Sequence, residues 1–175
     1  LALRGDGTVV AWGMDWSGNP LTPPVTATNV IAIAAGGSHS LALRADGTVV
    51  GWGNNAMGQV NIPGSATNLI AIAAGFNFSA GLRADGRVIV WGVLTASPRL
   101  TATYSCGGLS LFTSGAPTDY GPVAVPPPAT NLVALAAGRH HLLLLRADGA
   151  LIPMGDASAG QDAIPPIANV IGITA

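Results

Sequence analysis

The chain has no glutamate and no lysine: its charges are eight aspartates and seven arginines, 9% of 175 residues, with a net charge of −1. Two strong helix formers of solvated helical faces are therefore missing, which argues against helical repeats. So few cations and so little net charge argue against a nucleic-acid surface, which needs a basic stripe. Cys106 is the only cysteine, so no internal disulfide framework exists. Hydrophobic residues make up 49% of the chain. Even so, its apolar runs, such as Val30–Ala35 and Leu142–Leu145, fall far short of the roughly 20 residues a membrane helix needs. The opening residues show neither an initiator Met nor a signal-peptide pattern, which leads us to expect a segment of a longer protein.

What is present is one phrase repeated. LALRGDGTVVAWG at 1–13 returns as LALRADGTVVGWG at 41–53, and in altered form as AGLRADGRVIVWG at 80–92 and LLLRADGALIPMG at 143–155. A second phrase, NVIAIAAG, occupies Asn29–Gly36 and recurs at Asn68–Gly75 and Asn131–Gly138, with NVIGITA at Asn169–Ala175. A third joins Trp52, Gln59 and Pro63, with related copies at Trp12–Asn19–Pro23 and Met154–Gln161–Pro165. The unit is about 40 residues long, the sequence signature of a repeat architecture. Its boundaries are about 1–28, 29–67, 68–130 and 131–168 within a single domain over 1–175, and 169–175 starts a further unit. The third unit is interrupted over 93–119.

The local signals are all β. Ile31-Ala32-Ile33-Ala34 and Leu41-Ala42-Leu43 alternate large and small apolar residues with period two, as in a sheet stacked between two neighbours. Asp46-Gly47 between β-prone runs marks a hairpin, the glycine supplying positive φ. Residues 53–68 are rich in Gly, Asn and Pro and read as a crossing loop. Each unit should therefore form three or four short antiparallel strands. Ile31, Ile33, Leu41, Leu43, Val49 and Trp52 should be buried, together with their counterparts in the other units.

The run AAGGSHSLALRADGTVVGWGNNAMGQ at Ala34–Gln59 resembles the regulator of chromosome condensation repeat, and its uncharged, Ala-rich units look like bacterial members. The resemblance implies an all-β fold of the β-propeller type, with four blades of antiparallel strands here. The family usually has seven, so a partial propeller is expected, with a closed four-bladed ring or a two-chain ring as alternatives. An open arc would leave apolar end faces available for self-association. Members of the family include an exchange factor, a photoreceptor and an enzyme inhibitor, so the fold alone does not name a function.

Repetition decides how single residues are read. His39 and His141 share a phase with Phe78, which marks a packing position; Trp12, Trp52 and Trp91 share one with Met154. The pairs Arg4/Asp6, Arg44/Asp46, Arg83/Asp85 and Arg146/Asp148 belong to the hairpin turns, the Asp bonding local backbone amides. Adjacent His140 and His141 would face opposite sides of a strand and cannot easily share a metal. Ser38, His39 and Asp46 look like a triad, but other copies break the set. No catalytic, cofactor or metal site is expected.

Contact residues are sought where the pattern fails. Trp16 lies off phase in a polar loop. The interruption reads as a hairpin of RLTATYSC at 99–106 and LSLFTS at 109–114 around Gly107-Gly108, carrying Arg99, Tyr104 and Phe112. The expected function is non-catalytic recognition of a protein or glycan through propeller loops and this hairpin, at an extracellular or cell-surface location. The alternative is a regulatory propeller acting on an intracellular protein, by nucleotide exchange or by enzyme inhibition.

Overall fold

The structure is a computed structural model and describes residues 1–14, 18, 21–94, 130–156, 160, 162–165, 167 and 169–175. These form four antiparallel sheets and no helix, so no helix among them is long and apolar enough to cross a membrane. The first sheet pairs β1 (Ala2–Leu3) with β2 (Val9–Val10). The second has the order β3 (Val30–Ala35), β4 (His39–Arg44), β5 (Val49–Gly53). The third repeats it with β6 (Leu69–Ala74), β7 (Phe78–Arg83) and β8 (Val88–Gly92). The fourth does so with β9 (Leu132–Ala137), β10 (His141–Arg146) and β11 (Leu151–Gly155). The first strands β3, β6 and β9 lie beside one another in succession.

Each Asp-Gly turn is closed by its own side chain. Asp46 Oδ1 accepts from the Thr48 amide at 2.9 Å and the Thr48 hydroxyl at 2.6 Å. Asp6, Asp85 and Asp148 likewise accept the amide two residues on. Gly7, Gly47, Gly86 and Gly149 have φ between 75° and 83°, where a Cβ is strained. Arg44 donates to the Thr26 carbonyl of the crossing loop, and Arg83 and Arg146 pair with Asp85 and Asp148 at 3.1 and 2.8 Å.

The same turns join one sheet to the next. Val30 N donates to Gly7 O at 3.1 Å, Leu69 N to Gly47 O at 3.0 Å and Leu132 N to Gly86 O at 3.0 Å. The preceding asparagine completes the junction: Asn29, Asn68 and Asn131 have φ of 52–57°, and their carbonyls accept from Ala45, Ala84 and Ala147 at 2.9 Å. Asparagine tolerates this left-handed backbone better than most side chains, which explains why it opens every copy of the phrase.

One expectation about burial fails at this junction. Ile31, Ile70 and Val133 are 54–55% exposed, not buried. Val30 faces Arg44 while Ala32 faces Leu43, so Ile31 is an extra residue in its strand, and β6 and β9 shift register at the same place. A bulge reverses the in–out phase of the residues beyond it. Val30, Leu69 and Leu132 take the buried positions at 3–4% exposure, and Ile33 is half-buried.

The core lies between sheets. Leu41, Leu43 and Val49 of the second sheet pack with Leu69 and Trp91 of the third, and Ile72 and Ile89 join them. Phe78, Ala80, Leu82, Val88 and Val90 of the third meet Leu132, Leu142, Leu144 and Met154 of the fourth. Large and small side chains are matched within these clusters: the Leu69 side chain fills the space that a Gly81 Cβ would take, and small Ala80 shares its cluster with the large Leu142 and Leu144 of the next sheet. Such matching keeps interior density close to that of a crystal. Trp52 and Trp91 are buried as expected, but Trp12 is 68% exposed. Its indole phase faces a preceding sheet, and among the described residues no sheet packs on that side of the first.

Gly47→Ala places a Cβ 3.0 Å from Asn68 Cα in a positive-φ turn, and should lower unfolding free energy by about 1–3 kcal/mol in denaturant titration. Gly5→Ala meets nothing within 4 Å and should stay within about 0.5 kcal/mol. Trp91→Ala should cost about 3–5 kcal/mol, and Trp12→Ala less than about 0.5 kcal/mol.

Candidate functional site

The stacked sheets have two ends. One carries the Asp-Gly turns, the bulge residues and a groove lined by Asp6, Thr28, Asn29, Ile31, Arg44 and Asp46. The side chains of Asp6, Asp46 and Arg44 are already bonded to their own turns and loops. The other end carries the three-residue links between first and second strands: Gly36-Gly37-Ser38, Gly75-Phe76-Asn77 and Gly138-Arg139-His140. β5, β8 and β11 also finish there.

The first glycine of each link is required by packing. A Cβ on Gly36, Gly75 or Gly138 would lie within 2.3 Å of the His39, Phe78 or His141 ring, which folds back over it. The links are then bonded sheet to sheet, Gly37 N to Gly75 O at 3.1 Å and Phe76 N to Arg139 O at 2.9 Å. At the second position the phrase stops repeating. Gly37, Phe76 and Arg139 hold equivalent places in successive units. The Phe76 ring fills the space a Gly37 Cβ would take, 2.5 Å from its Cδ2. On Phe76 lies the Arg139 guanidinium, 4.7 Å from the ring centroid. The His140 ring meets Phe76 edge-on at 5.5 Å and 67°. Burial and the Arg139 charge push the His140 pKa down, against the pull of Asp156.

Beneath this end a polar chain crosses the gap between the second and third sheets. The Ser79 hydroxyl donates to Gln59 O at 2.7 Å and so accepts from His39 Nε2 at 2.9 Å. Trp91 Nε1 also donates to Gln59 O, at 2.9 Å. Gln59 is buried, its side chain bonded to the Met57 amide and the Asn54 side chain. Its place in the repeated phrase is therefore structural: it fixes the crossing loop against the tryptophan of the next unit. His39 is 1% exposed and, among the described residues, its Nδ1 has no partner. Burial, slightly offset by the Phe78 backbone, holds its pKa down at about 4.

The four contact candidates from sequence, Trp16, Arg99, Tyr104 and Phe112, lie outside the described residues, as does the hairpin expected over 99–114. Phe76, Arg139 and His140 were not singled out by sequence as a site. The available signal was the unlike column Gly37/Phe76/Arg139 inside an otherwise repeated phrase. Among the described residues no three His, Cys, Asp or Glu side chains gather as metal ligands. His140 precedes β10 and turns onto Phe76, while His141 lies over Gly138.

All-β sheets stacked face to face, each handing its chain on to the next, define a β-propeller-type repeat protein. Residues 30–59 and 69–93 match the family model of the regulator of chromosome condensation (RCC1) repeat, so the two central units are repeats of this family. In structure the chain is similar to yeast (Saccharomyces cerevisiae) Prp20p, with TM-score 0.60 and 24% identity over 87% of this chain and 38% of that one. It is also similar to the ectodomain of the Physcomitrella patens receptor kinase CR4, with TM-score 0.60 and 24% identity over 93% and 40%. Human WBSCR16 gives TM-score 0.55 and 20% identity over 80% and 38%. The chain thus spans less than half the length of each of these structures. No curated protein sequence matches it significantly.

The depressed His39 pKa gives a pH dependence of known sign. The unfolded imidazole binds its proton near 6.5 and the folded one only near 4, so stability is constant above about pH 6.5 and falls as pH drops toward 4. At about 1.4 kcal/mol for each pH unit, the loss is on the order of 3 kcal/mol. Asp6 and Asp46, held below 3.8 by Thr8 and Thr48, weaken only in more acid solution. His39→Phe, which copies Phe78, should lessen the fall in the midpoint of thermal unfolding between pH 6.5 and 4, leaving the part that His140 contributes.

Proposed function

We propose that this chain is a non-catalytic binding module that captures a protein partner at the loop end of its sheets. The observation that carries the reading is the division of labour among polar residues. At the turn end, the aspartates and most of the arginines are engaged in holding turns and crossing loops. At the loop end the repeat gives way to unlike residues, Gly37, Phe76 and Arg139, on a rigid backbone ladder. The chain also leaves β8 at that end for the interruption, after the buried Leu94. Variable loops on a fixed β scaffold are where recognition is usually placed. Prp20p, which has a similar fold, has been described for its binding to Gsp1p and histones and in complex with Kap60. We take from this only support for a protein, not a glycan, as the ligand.

Removal of Thr95–Thr118 should leave the thermal midpoint within a few degrees, because Gly86 O, Leu132 N and the apolar contact between the third and fourth sheets are untouched. Retention of a partner isolated with the intact chain should fall at least roughly tenfold in surface-plasmon measurements. A partner still held at full strength would exclude the interruption as contact surface and move attention to the loop carrying Trp16.

A further inference from the structure

Resting on the binding reading above, we propose that Arg139, laid flat on Phe76, is the recognition point for a carboxylate side chain in an acidic segment of the partner. Three of the four arginines at the repeated turn position are engaged within the chain: Arg44 on Thr26 O, Arg83 on Ser65 O and Asp85, Arg146 on Asp148; the fourth, Arg4, is exposed at the turn end. Arg139 differs from all of them. It sits at the opposite end, is exposed, and among the described residues no acceptor meets its N–H groups. Its position is nonetheless fixed. Its carbonyl holds the Phe76 amide, and its guanidinium face lies on a ring that is backed by Gly37 and flanked by His140.

A guanidinium whose face is occupied by an aromatic ring directs its N–H groups outward in one plane, the geometry that grips a carboxylate with two parallel hydrogen bonds. The stack removes side-chain freedom before binding, so less entropy is lost on capture. Lysine would keep the charge but lose the planar fork. The nearby acid is Asp156, which acts on His140. Arg87, the remaining described arginine outside the repeated turn position, follows a turn at the far end and is exposed.

The test is selection of a displayed library of random short peptides on the whole 175-residue chain, followed by fluorescence anisotropy with one selected peptide. The wild type should enrich peptides rich in Asp and Glu. Arg139→Gln should weaken the chosen peptide roughly ten- to hundredfold, Arg139→Lys most of that amount, and Phe76→Leu part of it. Arg87→Gln should bind as the wild type does, and all variants should keep the wild-type circular dichroism spectrum. Binding should weaken with added salt. Enrichment of peptides without acidic bias, or acidic peptides held equally by Arg139→Gln, would overturn the role of Arg139 while leaving the binding reading standing. If the wild type enriched no peptides and captured no protein partner, both would fail.

Discussion

Each sheet is held to its successor by a hydrogen bond from the first strand of the next unit to the turn glycine of the one before, made at Gly7, Gly47 and Gly86. The rest of the architecture depends on that bond. The acceptor carbonyl is presented by a turn that needs positive φ, and so needs glycine. The donor amide is presented by a strand whose preceding asparagine turns left-handed and bonds back to the hairpin of its own unit. With one end of the gap fixed in this way, the apolar faces meet in a single register. Only then can Leu41 and Leu43 meet Leu69 and Trp91, and Ala80 meet Leu142 and Leu144. A one-residue slip would set large against large across the gap and cost packing energy on every rung.

Much of this was legible in the sequence because the repeat reports its own geometry. The Asp-Gly turns, the all-β character, the large-against-small alternation and the architectural use of Arg and Asp could all be read from recurrence. The exposure of Ile31 could not. Alternation assumes an uninterrupted strand, and nothing in NVIAIAAG announces the extra residue that turns Ile31, Ile70 and Val133 outward. Trp12 was misplaced for a related reason: phase gives the direction a side chain faces, not whether a sheet waits there. The cluster at the loop end stayed hidden because its members come from different units. Phe76 and Arg139 are 63 positions apart and look unrelated until the stacking of sheets sets them side by side.

The two ends of the stack show opposite uses of the same chemistry. At the turn end, charge is directed inward, onto carbonyls and carboxylates of the same chain, and the surface left over is mainly a row of exposed aliphatic bulge residues. At the loop end, close backbone bonds replace side-chain pairing, so side chains are free to differ from unit to unit. His39 lies beneath that end as a neutral ring in a polar chain, and its burial ties the packing of the second and third sheets to acidity. The fold is thus uniform where it must assemble and varied where it meets solvent.

The bulge that turned Ile31 outward also bears on chain length. The bond that joins the third sheet to the fourth, Leu132 N to Gly86 O, is made at the turn end and so does not depend on the length of the covalent path between β8 and β9. The segment from Gly92 to Leu132 is more than twice as long as that from Gly53 to Leu69, yet closing the longer path costs less than about 1 kcal/mol more. The scaffold therefore has a natural seat for foreign sequence. A designer who wished to graft a new loop would place it between positions 94 and 130, away from the crossing loop that Gln59 fixes against Trp91, and would leave every asparagine alone.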